Sequence, residues 1–258
     1  MSKINYYDVP LSDKTKEILL GSLLGDGSLK IHEKYKNARF AFRHSIKQKE
    51  YFFWKVAQLK EISSVKSVFQ QKPDSGYSNN DKLRYQSRAL DSLTVIYDLV
   101  CKHNNLRIRR KWLNKLSALS LAIWWLDDGS IISNGRKGVI CTDGFDEKSV
   151  KVLAQYLQTV WKIDIHPAPI GRKRDGKQNE YWRLWIRSTS ELKKFLQIIL
   201  PYIYVEEMLP KVILMYNDNQ LQQRWISEIQ KATNFSEKTI EKYVVLKKSK
   251  WKQYQKMI

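Results

Sequence analysis

Apolar and polar positions along the chain switch between helical and strand spacing, in an order that occurs twice. In the first half, helical spacing up to residue 24 gives way to strand alternation over 28–45. Helical spacing returns over 49–62, a second alternating region covers 65–88, and a further helix is predicted over 90–101. The predicted order is therefore helix, hairpin, helix, hairpin, helix.

The second half repeats this order. After an apolar run that ends at residue 126, the predicted elements are hairpins over 129–142 and 163–187 and helices over 146–161 and 191–200. Asn134-Gly135 is a strong turn signal inside the first of these hairpins. In the first half, Pro73-Asp74-Ser75-Gly76 is a good turn sequence inside the second hairpin, between residues 65–69 and 83–88.

Residue-by-residue offsets indicate that one unit was duplicated. Asp128 lies 102 positions after Asp26, and Arg183–Arg187 lies 99 positions after Arg84–Arg88. Such similar offsets with the same element order favour a duplicated domain over a short-period solenoid. We predict a first unit over 1–104, a basic linker over 105–118, a second unit over 119–212 and a helical extension over 213–258.

Two further predictions concern the inward face of the helix over 49–62 and the helices of the extension. Helical spacing over 49–62 predicts an inward apolar face, made of Phe52, Phe53, Val56, Leu59 and Ile62. In the extension, a helix, a short turn at Asn234–Ser236 and a basic helix resemble a helix-turn-helix. The alternative is a basic tail helix that packs on the body of the protein.

The most informative stretches are two apolar runs, Leu19–Gly27 and Leu121–Gly129, that each end in an acid followed by glycine. An acid at the end of a buried element, where glycine lets the chain turn away, is placed to act at a surface. The alternative is a pair of core helices whose terminal acids have no role. Gly21 and Gly25 lie on one helix face and predict a close helix contact, with the larger Ile123 opposite Gly21 making it asymmetric.

Charge narrows the possible partners. The 258 residues include 46 Lys and Arg against 26 Asp and Glu, for a net charge of +20. A folded protein this basic is typical of nucleic-acid binding, with an anionic membrane surface as the second possibility. No apolar stretch approaches the ~20 residues of a membrane span, and no secretion signal is evident. Cys101 and Cys141 make neither a disulfide framework nor a zinc site.

These features predict an intracellular protein, without separating an organelle, a bacterial cytoplasm and a phage-infected cell. The predicted strands carry basic and amide side chains between apolar positions, an arrangement that suits a β-ribbon in the major groove. The candidate DNA contacts are Lys30, Arg39, Arg43, Arg84, Gln86, Arg88, Arg136, Lys137, Arg172, Arg174, Lys177, Arg183 and Arg187.

Within such a basic surface, the two motif acids need a cation. Helices packed side by side would bring Asp26 and Asp128 to the same end. Phosphates repel two acids unless a hard divalent ion lies between them, and Mg²⁺ binds carboxylate and phosphate oxygens. Such ions assist in-line phosphodiester hydrolysis, with one acid for each strand.

Both runs resemble the signature of the LAGLIDADG homing endonucleases, in the monomeric form with two motifs per chain. Leu119–Gly129 is the closer match, and the first run has Gly25 where the second has Asp127. The resemblance covers residues 12–212 and implies an α+β fold of two αββαββα units. These are related by a pseudo-twofold axis and lay antiparallel saddle sheets on DNA. It also implies a site-specific double-strand cut that starts intron or intein mobility.

The same resemblance assigns roles to individual residues. The acids before the final glycines, Asp26 and Asp128, are the expected ligands of Mg²⁺, for which Mn²⁺ is an expected substitute. The carbonyls of Gly25 and Asp127 are expected to assist. Basic residues beside the scissile phosphates are expected at Lys211 in the second unit and Arg107 in the first, where they would polarise water or stabilise charge.

Two other functions compete with a DNA endonuclease. A group I intron maturase on the same fold would bind intron RNA and would not need either acid. A transcriptional regulator would use the tail helices. The presence of both Asp26 and Asp128 favours the nuclease.

Overall fold

The chain folds into two compact units, Met1–Asp127 and Asp128–Ile258. The computed structural model describes residues 6–72, 81–174 and 177–255, with side chains given except at 172–174, 177–179 and 251–255. The predicted turn at Pro73–Gly76 lies outside the described residues. The four-part division proposed from the sequence, with its linker over 105–118, stays a prediction.

The first unit contains the predicted helix–hairpin order around a four-stranded antiparallel sheet. Its strands are β1 (Gly27–Lys30), β2 (Arg39–Ser45), β3 (Val68–Gln71) and β4 (Lys82–Gln86), in the spatial order β1-β2-β4-β3. A separate two-stranded sheet contains β5 (Cys101–Lys102) and β6 (Asn105–Leu106). The helices are α1 (Asp13–Ser22), α2 (Lys49–Gln58), α3 (Asp91–Val100), α4 (Arg110–Leu113) and α5 (Ala118–Asp128), which is joined to the second unit by its last residue.

Local sequence explains where α1 starts and why the sheet has one apolar face. The Ser12 side chain accepts a hydrogen bond from the Thr15 backbone N–H and caps α1. In β2, Phe40, Phe42 and His44 are buried while Arg43 is exposed, as the period of two predicts. The apolar face packs on α2 and α3, which leaves the basic face open.

The inward face of α2 differs from the prediction. Phe52 is buried as expected, but Phe53 is 51% exposed, so its assignment to the core is wrong. Tyr51 and Lys55 are buried in its place, and the Lys55 side chain is 0% exposed. The helix is rotated toward these two polar groups because they have a buried partner, described below.

The predicted basic linker contains buried structure. Trp112 and Leu113 of α4 are fully buried in the first unit. The Arg109 guanidinium donates to the carbonyls of Asp98 (3.0 Å) and Leu99 (2.6 Å), at the end of α3. This segment therefore contributes to the core of the first unit.

The second unit has the same strand order, β7-β8-β10-β9, in an antiparallel sheet. The matching order in both units confirms the predicted α+β class and the repeated pattern. The strands are β7 (Gly129–Ile132), β8 (Lys137–Cys141), β9 (His166–Arg174) and β10 (Lys177–Ile186). The helices are α6 (Glu147–Val160), α7 (Thr189–Ile199), α8 (Asn219–Ala232) and α9 (Glu237–Gln255).

Capping and turn residues place these elements as predicted. The Asp146 carboxylate accepts from the Ser149 backbone N–H (2.7 Å) at the start of α6. The β7–β8 turn has positive φ at Ser133, Asn134 and Gly135, a conformation that Asn and Gly adopt readily. Among the described helices, none is long and apolar enough to cross a bilayer.

The two tail helices pack on the second unit. The 3₁₀ helix Leu200–Tyr202 contacts α8, the 3₁₀ helix Glu206–Lys211 contacts α9, and α8 and α9 contact each other. Lys242 of α9 pairs with Glu206 at 3.3 Å. This packing agrees with the tail-helix alternative, and a helix-turn-helix role stays a prediction.

Candidate active site

The first motif ends α1 in a turn that exposes Asp26. After Ser22 the chain makes successive turns, with the Leu24 N–H bonded to the Gly21 carbonyl (3.1 Å) and the Gly25 N–H to the Ser22 carbonyl (3.0 Å). Asp26 follows, with its side chain 40% exposed, directly before β1. The turn thus delivers the carboxylate to the edge of the open sheet face, as the motif predicts.

Glycines let α1 and α5 approach closely within the first unit. A Cβ at Gly21 would lie 2.4 Å from the Ser120 carbonyl oxygen and 3.0 Å from the Cβ of Ile123. A Cβ at Gly25 would lie 2.6 Å from the Cβ of Asp127. The Ser120 hydroxyl also donates to the Glu17 carbonyl (2.9 Å). The predicted close contact, with Ile123 against Gly21, is confirmed.

Gly21→Ala is expected to lower the stability of the first unit. The added methyl meets backbone at Ser120, which cannot rotate away, and overpacking of this kind typically costs about 1–3 kcal/mol. Thermal unfolding should show a lower Tm, by about 2–4 °C for each kcal/mol. Gly144→Ala is the matched control because nothing lies within 4 Å of the position its Cβ would take. Equal melting of the two variants would contradict this packing.

Asp127 is held in a buried polar network. Its side chain is 0% exposed, and its two carboxylate oxygens each lie 3.0 Å from the Lys55 Nζ. The Tyr51 hydroxyl donates to Oδ1 at 2.9 Å. Burial, followed by the neighbouring Asp127 charge, raises the pKa of Tyr51 well above its ordinary value. Tyr51 therefore keeps its proton and remains a donor to Asp127.

His44 connects this network to Asp26. Its Nδ1 lies 3.4 Å from the Asp26 Oδ2 and its Nε2 lies 3.9 Å from the Asp127 Oδ1. The Asp26 backbone N–H also donates to the Asp127 Oδ2 at 3.4 Å. The Asp26 backbone N–H therefore ties the exposed acid to the buried one. The Asp26 carboxylate lies beside His44, whose Nε2 is too far from Asp127 for a hydrogen bond.

Asp26, His44 and Asp127 each offer a potential metal-ligand atom, and these atoms lie within 4.8 Å of one another. Lys55, however, already contacts both oxygens of Asp127, and its ammonium would repel a divalent ion bound there. Asp26 has the exposed carboxylate that hard cations favour. The geometry suits Asp26 as a ligand and the Asp127 carboxylate as its anchor.

Sequence reasoning did not identify His44, Tyr51 or Lys55. Lys55 and Tyr51 are four apart on α2, and this spacing places them on one helix face. A lysine in a helix usually points to solvent. The signal that could have found it is Asp127, the extra acid of the second motif that has no counterpart in the first, because a buried acid needs a cation nearby.

A groove on the first unit brings Asp26 together with predicted DNA contacts. Its walls include Asp26 and five of those candidates, Lys30, Arg39, Arg43, Arg84 and Gln86. Aromatic rings support two of the guanidinium groups: Arg39 lies 3.9 Å from the centroid of the Tyr35 ring and Arg84 lies 5.3 Å from that of Phe69. The groove is thus cationic, with an acid at one end of the sheet.

Other predicted DNA contacts occupy varied environments. Arg88 is exposed and donates to the Glu61 carbonyl (2.8 Å). Arg136, Lys137 and Arg187 are exposed in the second unit. For Arg172, Arg174 and Lys177 the backbone lies in β9 and β10, and their side chains lie outside the described part of the chain.

Arg183 differs from these because its guanidinium is already engaged. Its side chain is 9% exposed and makes a bidentate pair with Asp143, with both distances 2.7 Å. The hydrogen bond to Asp143 raises the pKa of Arg183 further, with smaller contributions that include Asp128. A direct base contact would require this pair to open.

The predicted basic residues of the active site lie at element ends. Arg107 is exposed directly after β6, and its backbone N–H donates to the Val100 carbonyl (2.8 Å). Lys211 is the last residue of the 3₁₀ helix Glu206–Lys211 and is half-buried. Asp128 ends α5 and is half-buried, directly before β7.

The sequence profile of the LAGLIDADG DNA endonuclease family matches residues 16–195, which is well over half of the chain. This chain belongs to the LAGLIDADG DNA endonuclease family. The match includes both motif acids and both sheets, and the predicted family is therefore confirmed.

Curated relatives of this LAGLIDADG protein carry two kinds of name. A protein named RecA from Mycobacterium gastri is 29% identical over 75% of this chain and 46% of its own length. The cytochrome b mRNA maturase bI2 of Debaryomyces hansenii is 28% identical over 63% of this chain and 62% of its own. The chain thus spans about half the length of the first of these relatives.

A solved structure supports the LAGLIDADG fold. The homing endonuclease I-WcaI, bound to its DNA recognition sequence, superposes with a TM-score of 0.65 and 21% identity. The similarity covers 80% of this chain and 88% of that one. At this identity the match supports the fold alone.

Proposed function

We propose that this chain is a site-specific endonuclease that cuts both strands of a long DNA target. The observation that carries the proposal is the exposed carboxylate of Asp26 in a groove whose lining also includes Lys30, Arg39, Arg43 and Arg84. Such a groove attracts phosphates, and an acid in it is useful only if it binds a cation that the phosphates share. The family membership supports the same activity.

We propose Asp26 and Asp128 as ligands of Mg²⁺, with Mn²⁺ as a substitute and with help from the carbonyls of Gly25 and Asp127. Bound Mg²⁺ would neutralise phosphate charge and lower the pKa of a water molecule. The chain's own contribution is placement. Lys55 and Tyr51 anchor Asp127, and Asp127 with His44 orients Asp26.

Cationic side chains complete the proposed active site. Lys211 and Arg107 are proposed to stabilise charge on the phosphate as it is attacked. The basic faces of the two sheets are proposed to lie in the major groove, where Arg pairs with guanine and Gln with adenine. With two motifs in one chain, a monomer is sufficient, and the cut would start mobility of an intron or intein.

The proposed function is tested by incubating the protein and Mg²⁺ with a library of duplex targets. The library should include the DNA that spans the insertion site of its own intron or intein. Wild-type protein is expected to cut one target at a defined position. Absence of cleavage on every target would contradict the proposal.

Duplex binding is expected to weaken steeply with salt. A protein that neutralises 6–10 phosphates loses about 10³–10⁵ in affinity between 50 and 200 mM salt. Lys30→Gln, which removes an exposed groove cation, should reduce the slope of log K against log salt by about 1. The measurement is a dissociation constant at several salt concentrations. A flat dependence would contradict the groove as a phosphate-binding surface.

A second candidate function is that of a group I intron maturase. Two curated relatives, from Debaryomyces hansenii and Saccharomyces cerevisiae, are named cytochrome b mRNA maturase bI2. A maturase would bind its intron RNA tightly and promote splicing without Asp26 or Asp128. Tight RNA binding with no DNA cleavage would favour this alternative.

A further inference from the structure

The segment that follows Lys211 is buried but has no regular secondary structure of its own. Val212, Ile213, Leu214 and Met215 are all buried, and the segment lies outside every helix and strand. The Val212 and Ile213 N–H groups donate to the Leu209 carbonyl (3.0 and 3.2 Å), but the other backbone polar groups of the segment lack the regular partners that a helix or sheet would supply. Buried backbone groups are nearly always hydrogen-bonded, so other parts of the second unit must satisfy them.

Side chains of the two tail helices supply these partners. Lys247 of α9 donates to the carbonyls of Pro210 (2.8 Å) and Ile213 (2.6 Å). Trp225 of α8 donates from Nε1 to the Val212 carbonyl at 3.2 Å. These bonds begin one residue before Lys211 and continue directly after it.

Gln222 of α8 completes the set. Its Nε2 donates to the Leu214 carbonyl (3.1 Å) and its Oε1 accepts from the Tyr216 N–H (2.9 Å). From the opposite side, the Met215 N–H donates to the carbonyl of Gly135 in the β7–β8 turn (3.1 Å). The segment is therefore held between the tail helices and the sheet of the second unit.

Lys247 is an unusual choice for a residue that only fills space. Burial lowers the pKa of Lys247 to about 7, and within the described part of the chain its hydrogen bonds go to carbonyl oxygens only. A leucine or methionine would pack without this desolvation cost. The amine is useful because one side chain can bond two carbonyls that flank Lys211.

We propose that the C-terminal extension is a positioning device for Lys211, in which a clamp made by Lys247, Gln222 and Trp225 fixes the backbone of residues 210–216. The three are positioning residues, since they act through the backbone of Lys211. The proposal rests on the proposed endonuclease function, in which Lys211 stabilises the attacked phosphate. It gives residues 213–258 a role in cleavage without requiring that they touch DNA.

The test compares Lys247→Met with Lys250→Met. Lys250 is exposed on the same helix, so its replacement makes the same side-chain change without disturbing the backbone of residues 210–216. Lys247→Met is expected to slow single-turnover cleavage about 10- to 100-fold, since a displacement near 1 Å can cost 10²-fold. DNA affinity should stay within about threefold of that of Lys250→Met.

A double variant separates positioning from general damage. In a Lys211→Met background, Lys247→Met should slow cleavage little further, because residues that act as a unit are non-additive. An undiminished effect in that background, or wild-type cleavage by either Lys247→Met or Lys211→Met, would overturn the proposal.

Hydrogen exchange tests the clamp without any cleavage assay. Amides of residues 211–216 should exchange faster in Lys247→Met than in Lys250→Met. Unchanged exchange overturns the clamp even if the protein cuts DNA. Faster exchange in a protein that cuts no target would leave the clamp in place and overturn both the endonuclease function and the role of Lys211.

Discussion

Lys55→Met is expected to destabilise the first unit by about 3–5 kcal/mol, the usual result of removing one partner of a buried ion pair. The Asp127 carboxylate would stay buried, with the Tyr51 hydroxyl and the Asp26 backbone N–H among its remaining donors. Methionine fills nearly the same volume, so the loss reports charge and hydrogen bonding. Denaturant unfolding of the variant and the wild type measures the difference.

The control is Lys60→Met, which changes an exposed lysine just after α2. Surface substitutions of this kind usually change stability by less than about 0.5 kcal/mol. Asp127→Asn added to Lys55→Met should recover part of the loss, with a coupling of about 0.5–3 kcal/mol. If the stability changes of the two single variants simply add in the double variant, the predicted stabilising interaction between Lys55 and Asp127 is contradicted.

Asp128→Asn is expected to abolish the double-strand cut while leaving DNA binding within a few-fold of wild type. Loss of a metal ligand removes several kcal/mol of charge stabilisation, which corresponds to about 10³-fold or more in rate. Asp98→Asn is the control because Asp98 is an exposed acid on α3, so it removes the same charge away from the motif. A Mg²⁺ titration of single-turnover rates measures the effect.

The same measurement distinguishes a ligand from a positioning acid. A variant whose cleavage recovers at high Mg²⁺ has lost affinity for the ion, whereas one that stays inactive has lost a group needed in the reaction. Asp26→Asn should behave like Asp128→Asn. Wild-type rates for either variant would remove that acid from the proposed active site.

Local pattern was sufficient to predict most elements of the fold. The cap at Ser12, the turn at Asn134-Gly135 and the alternation along β2 depend on neighbours within a few residues. Gly21 and Gly25 of the first motif were also identified as close-contact positions, because their four-residue spacing is a local property. Nothing about these features requires knowledge of distant residues.

Long-range partners explain what sequence could not predict. Lys55 lies 72 positions before its partner Asp127. Helical spacing alone predicts that Phe53, rather than Lys55, lies in the core. Likewise Lys247 lies 37 positions after the Pro210 carbonyl that it bonds, so the tail was visible only as a basic helix. In neither case is burial of the lysine predicted from the sequence, because burial of a charge depends on a partner that periodicity does not reveal.

Strand-resolved cleavage of a supercoiled plasmid that carries the selected target tests the central claim most directly. Wild-type protein with Mg²⁺ is predicted to yield linear plasmid, which requires both strands to be cut. Asp26→Asn and Asp128→Asn are each predicted to yield no linear product while still binding the target. Linear product at the wild-type rate from either variant would contradict the claim that the double-strand cut needs both acids.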